Sequence, residues 1–343
     1  MSWSPSPVLV STLRILGKGT IRYYVFGSQS PTALQLIYLH GAPSSGQEPF
    51  CLQAAATDLG IRIVSLDRPG WGESSSDPSL TFESFAKDYV GALANHLGIS
   101  RFVVVGISGG SRFALAVGRY LPQRVPLVVQ IGTTGPDHGP WFSAWYRVKS
   151  GFAGRFGESV CKGLLSMDRA IMRVRLLALG GDVDTQGALK WFPVMDKDGT
   201  LHPPADPSGP PSKFGGVRAY LLSWMFSKPD MDAFRSQPHF ANIFFEIAGI
   251  KSGLQGVWMD GLLQASSRAQ FNVRDMRGSG VKILVLHGAD DVNCPAWGAE
   301  KFKEVVDHED LDLRIIAGEG HVSLPLRRPM DTLQIIKNLA DTS

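Results

Sequence analysis

Ser108 stands in Gly106-Ile107-Ser108-Gly109-Gly110, a G-x-S-x-G match. It follows a Val/Ile-rich run, Phe102 to Ile107, and precedes a helix-like stretch, Ser111 to Leu121. The spacing has a steric reason. A serine at a sharp strand-to-helix turn takes strained backbone angles, and glycines two residues away let the chain segments pass without clash. The turn exposes the hydroxyl and sets the next N–H at a helix N-terminus. Serine is a weak nucleophile unless a base takes its proton and an acid orients that base. His321 in Gly318-Glu319-Gly320-His321 and Asp291 in His287-Gly288-Ala289-Asp290-Asp291 are of those types. Each follows the end of an apolar run, and the chain order Ser108, Asp291, His321 is that of a nucleophile-elbow triad. A glycine-rich turn with an incidental serine accounts for the pentapeptide alone, but not for the three residues together.

Attack on a carbonyl puts negative charge on its oxygen, which two backbone N–H groups usually stabilise. Gly109, next to the nucleophile, is one candidate donor. The other should lie in the loop after the first parallel strand, His40-Gly41-Ala42-Pro43, where Ala42 is the choice and a plain strand-exit turn is the alternative.

These residues need a scaffold that gathers strand ends. Short Val/Ile/Leu runs at Leu34–Leu39, Arg62–Leu66, Phe102–Ile107, Leu127–Ile131, Lys282–Leu286 and Leu313–Ile316 suit strands buried on both faces. Helical patterns alternate with them at 47–59, 81–97, 110–121, 296–306 and 328–339. The alternation predicts an α/β class fold, a mostly parallel doubly wound sheet whose ligands bind at the strands' carboxyl ends. Alternation around Ile21–Val25, with Lys18-Gly19 at a turn, predicts an antiparallel hairpin on the sheet edge. The pattern stops near Asp137 and resumes near Val281. Residues 1–137 and 281–343 are therefore assigned to the core, and 138–280 to a helical insertion with its return segment. That insertion is rich in Trp and Phe (Trp141, Trp145, Trp191, Phe192, Trp224, Phe226, Phe244, Phe245, Trp258) and holds a proline-rich loop, 202–211.

Composition narrows the classes. Of 343 residues, 44% are hydrophobic and 19% charged, which fits a globular protein and not a disordered one. A net charge of +3 is too small an excess to imply nucleic acid or an anionic membrane as partner. Three scattered cysteines (Cys51, Cys161, Cys294) argue against a disulfide framework, and His138, His202 and His239 lack partners at ligand spacing, so no metal site and no cofactor is expected. No run approaches the roughly 20 apolar residues of a membrane span. The N-terminus lacks the pattern of a secretory leader, so the expected location is cytoplasmic.

His40-Gly41-Ala42-Pro43, Asp67-Arg68-Pro69-Gly70-Trp71-Gly72-Glu73-Ser74, Gly106-Ile107-Ser108-Gly109-Gly110 and the Asp291 and His321 segments together resemble motifs of the α/β-hydrolase superfamily, in the family's order. The resemblance covers about 30–137 and 281–340. It implies that the insertion after the sixth strand is a cap, and that Asp291 rather than Asp290 is the acid; Asp137, after the sixth strand, is a position some members use instead. Asp67 and Arg68 are read as fixing the turn before Gly70 and Gly72, Trp71 as a residue that could line the pocket, and Cys294 as packing.

The expected activity is a serine hydrolase acting on an ester or related acyl substrate through Ser108, His321 and Asp291, with Ala42 and Gly109 holding the oxyanion. The aromatic insertion would select an apolar or aromatic small molecule, or serve a homodimer. The same triad also fits C–C bond hydrolysis, thioester release, acyl transfer or cyclisation in a biosynthetic pathway. A non-catalytic ligand receptor on the same scaffold is a third reading. Epoxide hydrolase and haloalkane dehalogenase relatives use a carboxylate nucleophile, whereas position 108 is serine.

Overall fold

The structure is a computed structural model that describes residues 9–42, 44–133, 194–195, 201–202, 227–236, 256, 259–260, 263 and 271–342. Val, Ile and Leu runs form an eight-stranded sheet of β1 (Leu9–Ile15), β2 (Gly19–Gly27), β3 (Leu34–Leu39), β4 (Ile61–Leu66), β5 (Val103–Ile107), β6 (Leu127–Ile131), β7 (Lys282–Gly288) and β8 (Leu311–Ile316). Their order across the sheet is β1-β2-β4-β3-β5-β6-β7-β8. β1 and β2 form the expected antiparallel edge hairpin, β2 also pairs antiparallel with β4, and the remaining neighbours are parallel.

Both faces of the central strands are covered, which is why their sequences are apolar without alternation. Val104 packs into one core with Phe82, Phe85, Phe113 and Phe302. Val103, Val105 and Ile107 point the other way, into a core with Ala55, Ala56, Leu324, Leu333 and Ile336. Each of the Val, Ile, Leu and Phe side chains contributes about 1.5–3 kcal/mol by leaving water. The first layer holds α2 (Phe82–Ser84) and α3 (Gly91–His96), joined by the π-helical stretch Phe85–Val90, with α4 (Ser111–Tyr120) and α6 (Ala296–Val306). The second layer holds α1 (Gln53–Asp58), α7 (Ser323–Arg327) and α8 (Pro329–Ala340). The expected strands and helices fall within about two residues of these elements, except that the helix expected over 47–59 is a 3₁₀ turn over Glu48–Leu52 and α-helical only from Gln53. Helix α7 was not anticipated: Pro325 reads as a breaker, yet it is the third helical residue, in the first turn where an N–H is not needed.

The chain leaves the sheet after β6 and rejoins it at β7. Between them the structure describes α5 (Lys228–Ser236), helical positions at Gly256, Met259, Asp260 and Leu263, and a 3₁₀ turn, Val273–Met276. His202, placed by the sequence reading in an irregular proline-rich loop, pairs instead with Val194 in a two-residue antiparallel ladder. Asp137, residues 203–211 and the aromatic positions of the insertion lie outside the described residues. Among the described residues no helix is long and apolar enough to cross a membrane.

Candidate active site

Ser108 occupies the turn between β5 and α4 with φ of 48°, in the left-handed region that a side chain other than glycine rarely takes. The flanking glycines are required by close approach. A Cβ at Gly106 would lie 2.4 Å from the Gly110 carbonyl oxygen, and one at Gly110 would lie 2.2 Å from the Leu39 carbonyl oxygen. The turn is thereby wedged against the end of β3, and Ser108 is left part-exposed at the sheet's carboxyl edge.

His321 and Asp291 arrive from loops after β8 and β7. His321 Nε2 lies 2.9 Å from Ser108 Oγ, and His321 Nδ1 lies 2.8 Å from Asp291 Oδ2. The other carboxylate oxygen of Asp291 accepts the backbone N–H groups of Asn293 at 2.9 Å and Cys294 at 2.7 Å. Burial alone would raise the Asp291 carboxyl, but His321 and these donors bring it below the usual carboxylate range. Burial would likewise lower His321; the Asp291 charge outweighs it and holds the imidazole well above its ordinary value. Asp290, the neighbouring candidate acid, is exposed, and its N–H donates to the Glu319 carbonyl. His287, fully buried behind the pair, donates from Nε2 to the Cys294 carbonyl at 2.6 Å, and burial lowers its affinity for a second proton. Cys294 is buried, as a packing residue would be, and its backbone ties Asp291 and His287 together.

The base loop has two further supports. Gly132, at the end of β6 with φ of 59°, backs the imidazole: a Cβ there would lie 3.2 Å from His321 Nδ1. Asp230, fully buried at the start of α5, accepts the N–H groups of His321 at 3.0 Å, Val322 at 2.8 Å and Ser323 at 2.9 Å. It also accepts from the Ser227 N–H and hydroxyl. Sequence reasoning missed Asp230. Ser227-Lys228-Pro229-Asp230 carries the S-x-x-D signature of a helix start, which marks α5 but does not announce that the same carboxylate caps the His321 loop.

On the opposite side, Gly109 lies beside Ala42: a Cβ at Gly109 would lie 3.4 Å from the Ala42 nitrogen and 3.8 Å from Arg68 Nη2. Gly41 lies against Ser108, its own would-be Cβ being 3.5 Å from that of the serine. Its N–H donates to Glu48 Oε2 at 2.9 Å, so the next N–H, that of Ala42, is the one left for a ligand; among the described residues it meets no acceptor. Glu48 is buried and also accepts from Tyr38 at 3.3 Å. Burial pushes its carboxyl up to about 7, against the pull of the Gly41 N–H, Ser44, Tyr38 and Arg68.

Asp67 fixes its turn as the sequence suggested, accepting the N–H groups of Gly46 at 2.7 Å and Glu73 at 3.1 Å. Arg68 does more than the turn reading allowed. Its Nη1 contacts both oxygens of Asp260, from the insertion, at 2.8 Å, and its Nη2 donates to the Gly41 carbonyl at 3.2 Å. Trp71 is fully buried, with its indole against Gly256 and in T-shaped contact with the His40 ring. Among the described residues no group of three or more His, Cys, Asp or Glu could hold a metal ion.

The arrangement can transfer a proton from a serine hydroxyl to an imidazole whose charged form is stabilised, beside a pair of backbone donors. Comparison with known proteins agrees with its architecture. The family model for the alpha/beta hydrolase fold matches residues 35–177. The chain is 32% identical over 109 residues to a proline iminopeptidase of Neisseria gonorrhoeae, covering 31% of this chain and 34% of that protein. It is 30% identical over 150 residues to the bifunctional epoxide hydrolase 2 of Sus scrofa, covering 43% of this chain and 26% of that protein. Matches to such curated relatives thus span about a third of their length or less. A thermophilic esterase from Thermogutta terrifontis superposes with a TM-score of 0.61 at 18% identity, over 97% of this chain and 98% of the esterase. Sheet order, the strained turn at β5 and these matches agree: the chain has the α/β-hydrolase fold, and its residues 35–177 match that family's model.

Proposed function

We propose that this chain is a serine hydrolase of ester or related acyl substrates that works through an acyl-enzyme. One observation carries the reading: the unbroken run from Ser108 Oγ through His321 to Asp291, at 2.9 Å and 2.8 Å. Ser108 attacks the substrate carbonyl while His321 Nε2 takes its proton. Asp291 holds the Nδ1–H tautomer and stabilises the imidazolium. The N–H groups of Ala42 and Gly109 receive the oxyanion. His321 returns the proton to the leaving group, then activates the water that releases the acyl group from Ser108. The tryptophans and phenylalanines of the insertion support an apolar or aromatic acyl substrate. Serine at position 108 favours this covalent acyl route over the epoxide chemistry named for the Sus scrofa relative.

The test is labelling with a fluorophosphonate probe together with turnover of short p-nitrophenyl esters. Wild type should label at Ser108 and turn over. Ser108→Ala should lose both, and labelling that survives in that variant overturns the assignment. A wild type that neither labels nor hydrolyses, yet binds an apolar ligand tightly, would favour the receptor reading.

A further inference from the structure

The peptide joining Gly41 to Ala42 is held from its carbonyl end by two donors. His40 is neutral in the fold, because burial and the Arg68 charge keep its affinity for a second proton well below the ordinary value. Its Nε2 accepts the Arg68 N–H at 3.2 Å, so the ring proton sits on Nδ1 and is donated to the Gly41 oxygen at 2.7 Å. Arg68 Nη2 is the second donor to that oxygen, at 3.2 Å. In a planar trans peptide the C=O and the following N–H point in opposite directions. Pinning the Gly41 oxygen therefore fixes the direction of the Ala42 N–H. A cationic donor on the carbonyl also polarises the peptide and strengthens its N–H as a donor.

Arg68 is 1% exposed and lies over the Phe113 ring at 4.5 Å and the Trp71 ring at 5.3 Å. A buried guanidinium needs a partner to be held there. Asp260 is that partner, with both its oxygens at 2.8 Å, and it comes from the segment between β6 and β7, not from the sheet. Resting on the hydrolase reading above, we propose that Arg68 is a positioning residue of the oxyanion hole, which sets the Ala42 N–H through the Gly41 carbonyl, and that Asp260 ties this donor to the seating of the insertion. A shift of the insertion that withdraws Asp260 would weaken the oxyanion donor without touching Ser108 or His321.

The experiment compares wild type with Arg68→Met, Arg68→Lys and Asp260→Asn, each checked for folding by thermal melting. Fluorophosphonate labelling and wild-type turnover are read first, and loss of both in wild type would sink the hydrolase reading itself. With these intact, Arg68→Met should lower kcat about 10- to 100-fold, a smaller loss than direct deletion of an oxyanion donor. KM should change by less than about threefold, the pattern of an interaction made in the transition state. Asp260→Asn should lose less, about fivefold, and Arg68→Lys should recover part of the Met loss. The carbonyl stretch of a slowly hydrolysed cinnamoyl-enzyme should move to higher wavenumber in the same order, because it reports the hydrogen bond to the acyl oxygen. A purely structural role would not move that band. If Arg68→Met fails to fold, Arg68→Lys and Asp260→Asn decide alone. Folded, fully labelled variants with wild-type kcat and an unmoved carbonyl band would overturn the proposal.

Discussion

Asp291 and Glu48 are buried carboxylates on opposite sides of Ser108, and burial acts to raise both. In Asp291 the neighbours prevail: an imidazole at 2.8 Å and two backbone N–H groups hold the charge. In Glu48 burial prevails, and the carboxyl is pushed up to about 7 even though it accepts the Gly41 N–H. The insertion supports each side differently. Asp230 caps backbone N–H groups of the base loop, whereas Asp260 holds a cation beneath the oxyanion loop. On the proposed mechanism the base side holds a charge that changes during turnover, and the oxyanion side holds directions, those of the Gly41 carbonyl and of the N–H groups beside it.

The sharpest way to break this contrast is to remove charge from the base side. Asp291→Asn should lower kcat by about 10⁴-fold, because the amide no longer fixes the reactive tautomer. The pH profile supplies a second readout. Asp291 holds His321 well above its ordinary value, so the acid limb of kcat/KM in wild type should lie above about 6.5, where the neutral base first becomes available. That limb should move down in Asp291→Asn. An unmoved limb would mean that Asp291 does not govern the base.

Next in size is the cap on the base loop. Asp230→Ala leaves the N–H groups of His321, Val322 and Ser323 without their acceptor in a buried place. The expected loss is about 3–5 kcal/mol of stability in urea unfolding, with kcat reduced as His321 loses its seat. Asp230→Asn keeps one carbonyl oxygen and should lose less. An alanine variant that unfolds at the wild-type midpoint would show that the loop is held by other means.

Ser108, His321 and Asp291 were legible because each is of a type the chemistry needs and stands just past the end of an apolar run, and strand ends converge in a parallel sheet. The sheet was legible for the same reason: Phe102–Ile107 has no polar interruption, which only a strand covered on both faces tolerates. Arg68 was seen, but as a turn residue, because nothing in Asp67-Arg68-Pro69-Gly70 reveals a carboxylate 192 positions away. Asp230 and Asp260 were invisible for a related reason. A carboxylate capping a distant loop or pairing with a buried cation leaves no periodic trace in its own segment. Glu48 follows Ser45 by three residues and reads as an ordinary helix-start pair; its burial against Gly41 is a tertiary fact.

The smallest of the expected effects tests the oxyanion side through Glu48. Because burial lifts its carboxyl from 4.5 to about 7, the folded protein binds this proton more tightly than the unfolded chain. The stabilisation it gives is fully present below about 4.5 and is lost as pH rises through about 7. The shift corresponds to about 3 kcal/mol at most. Glu48→Gln cannot ionise, and its amide oxygen can still accept the Gly41 N–H. Relative to wild type, the Gln variant should therefore gain stability between pH 4.5 and pH 8, by up to that amount, in urea unfolding at matched salt. The comparison must be made as a difference between the two proteins. Burial pushes Asp67 up to about 6 as well, which tilts the wild-type curve in the same direction, and that contribution cancels when Glu48 alone is changed. A stability difference that stays flat across this range would mean that Glu48 keeps its charge in the fold. The oxyanion side would then hold charge as the base side does, and the contrast between them would fail.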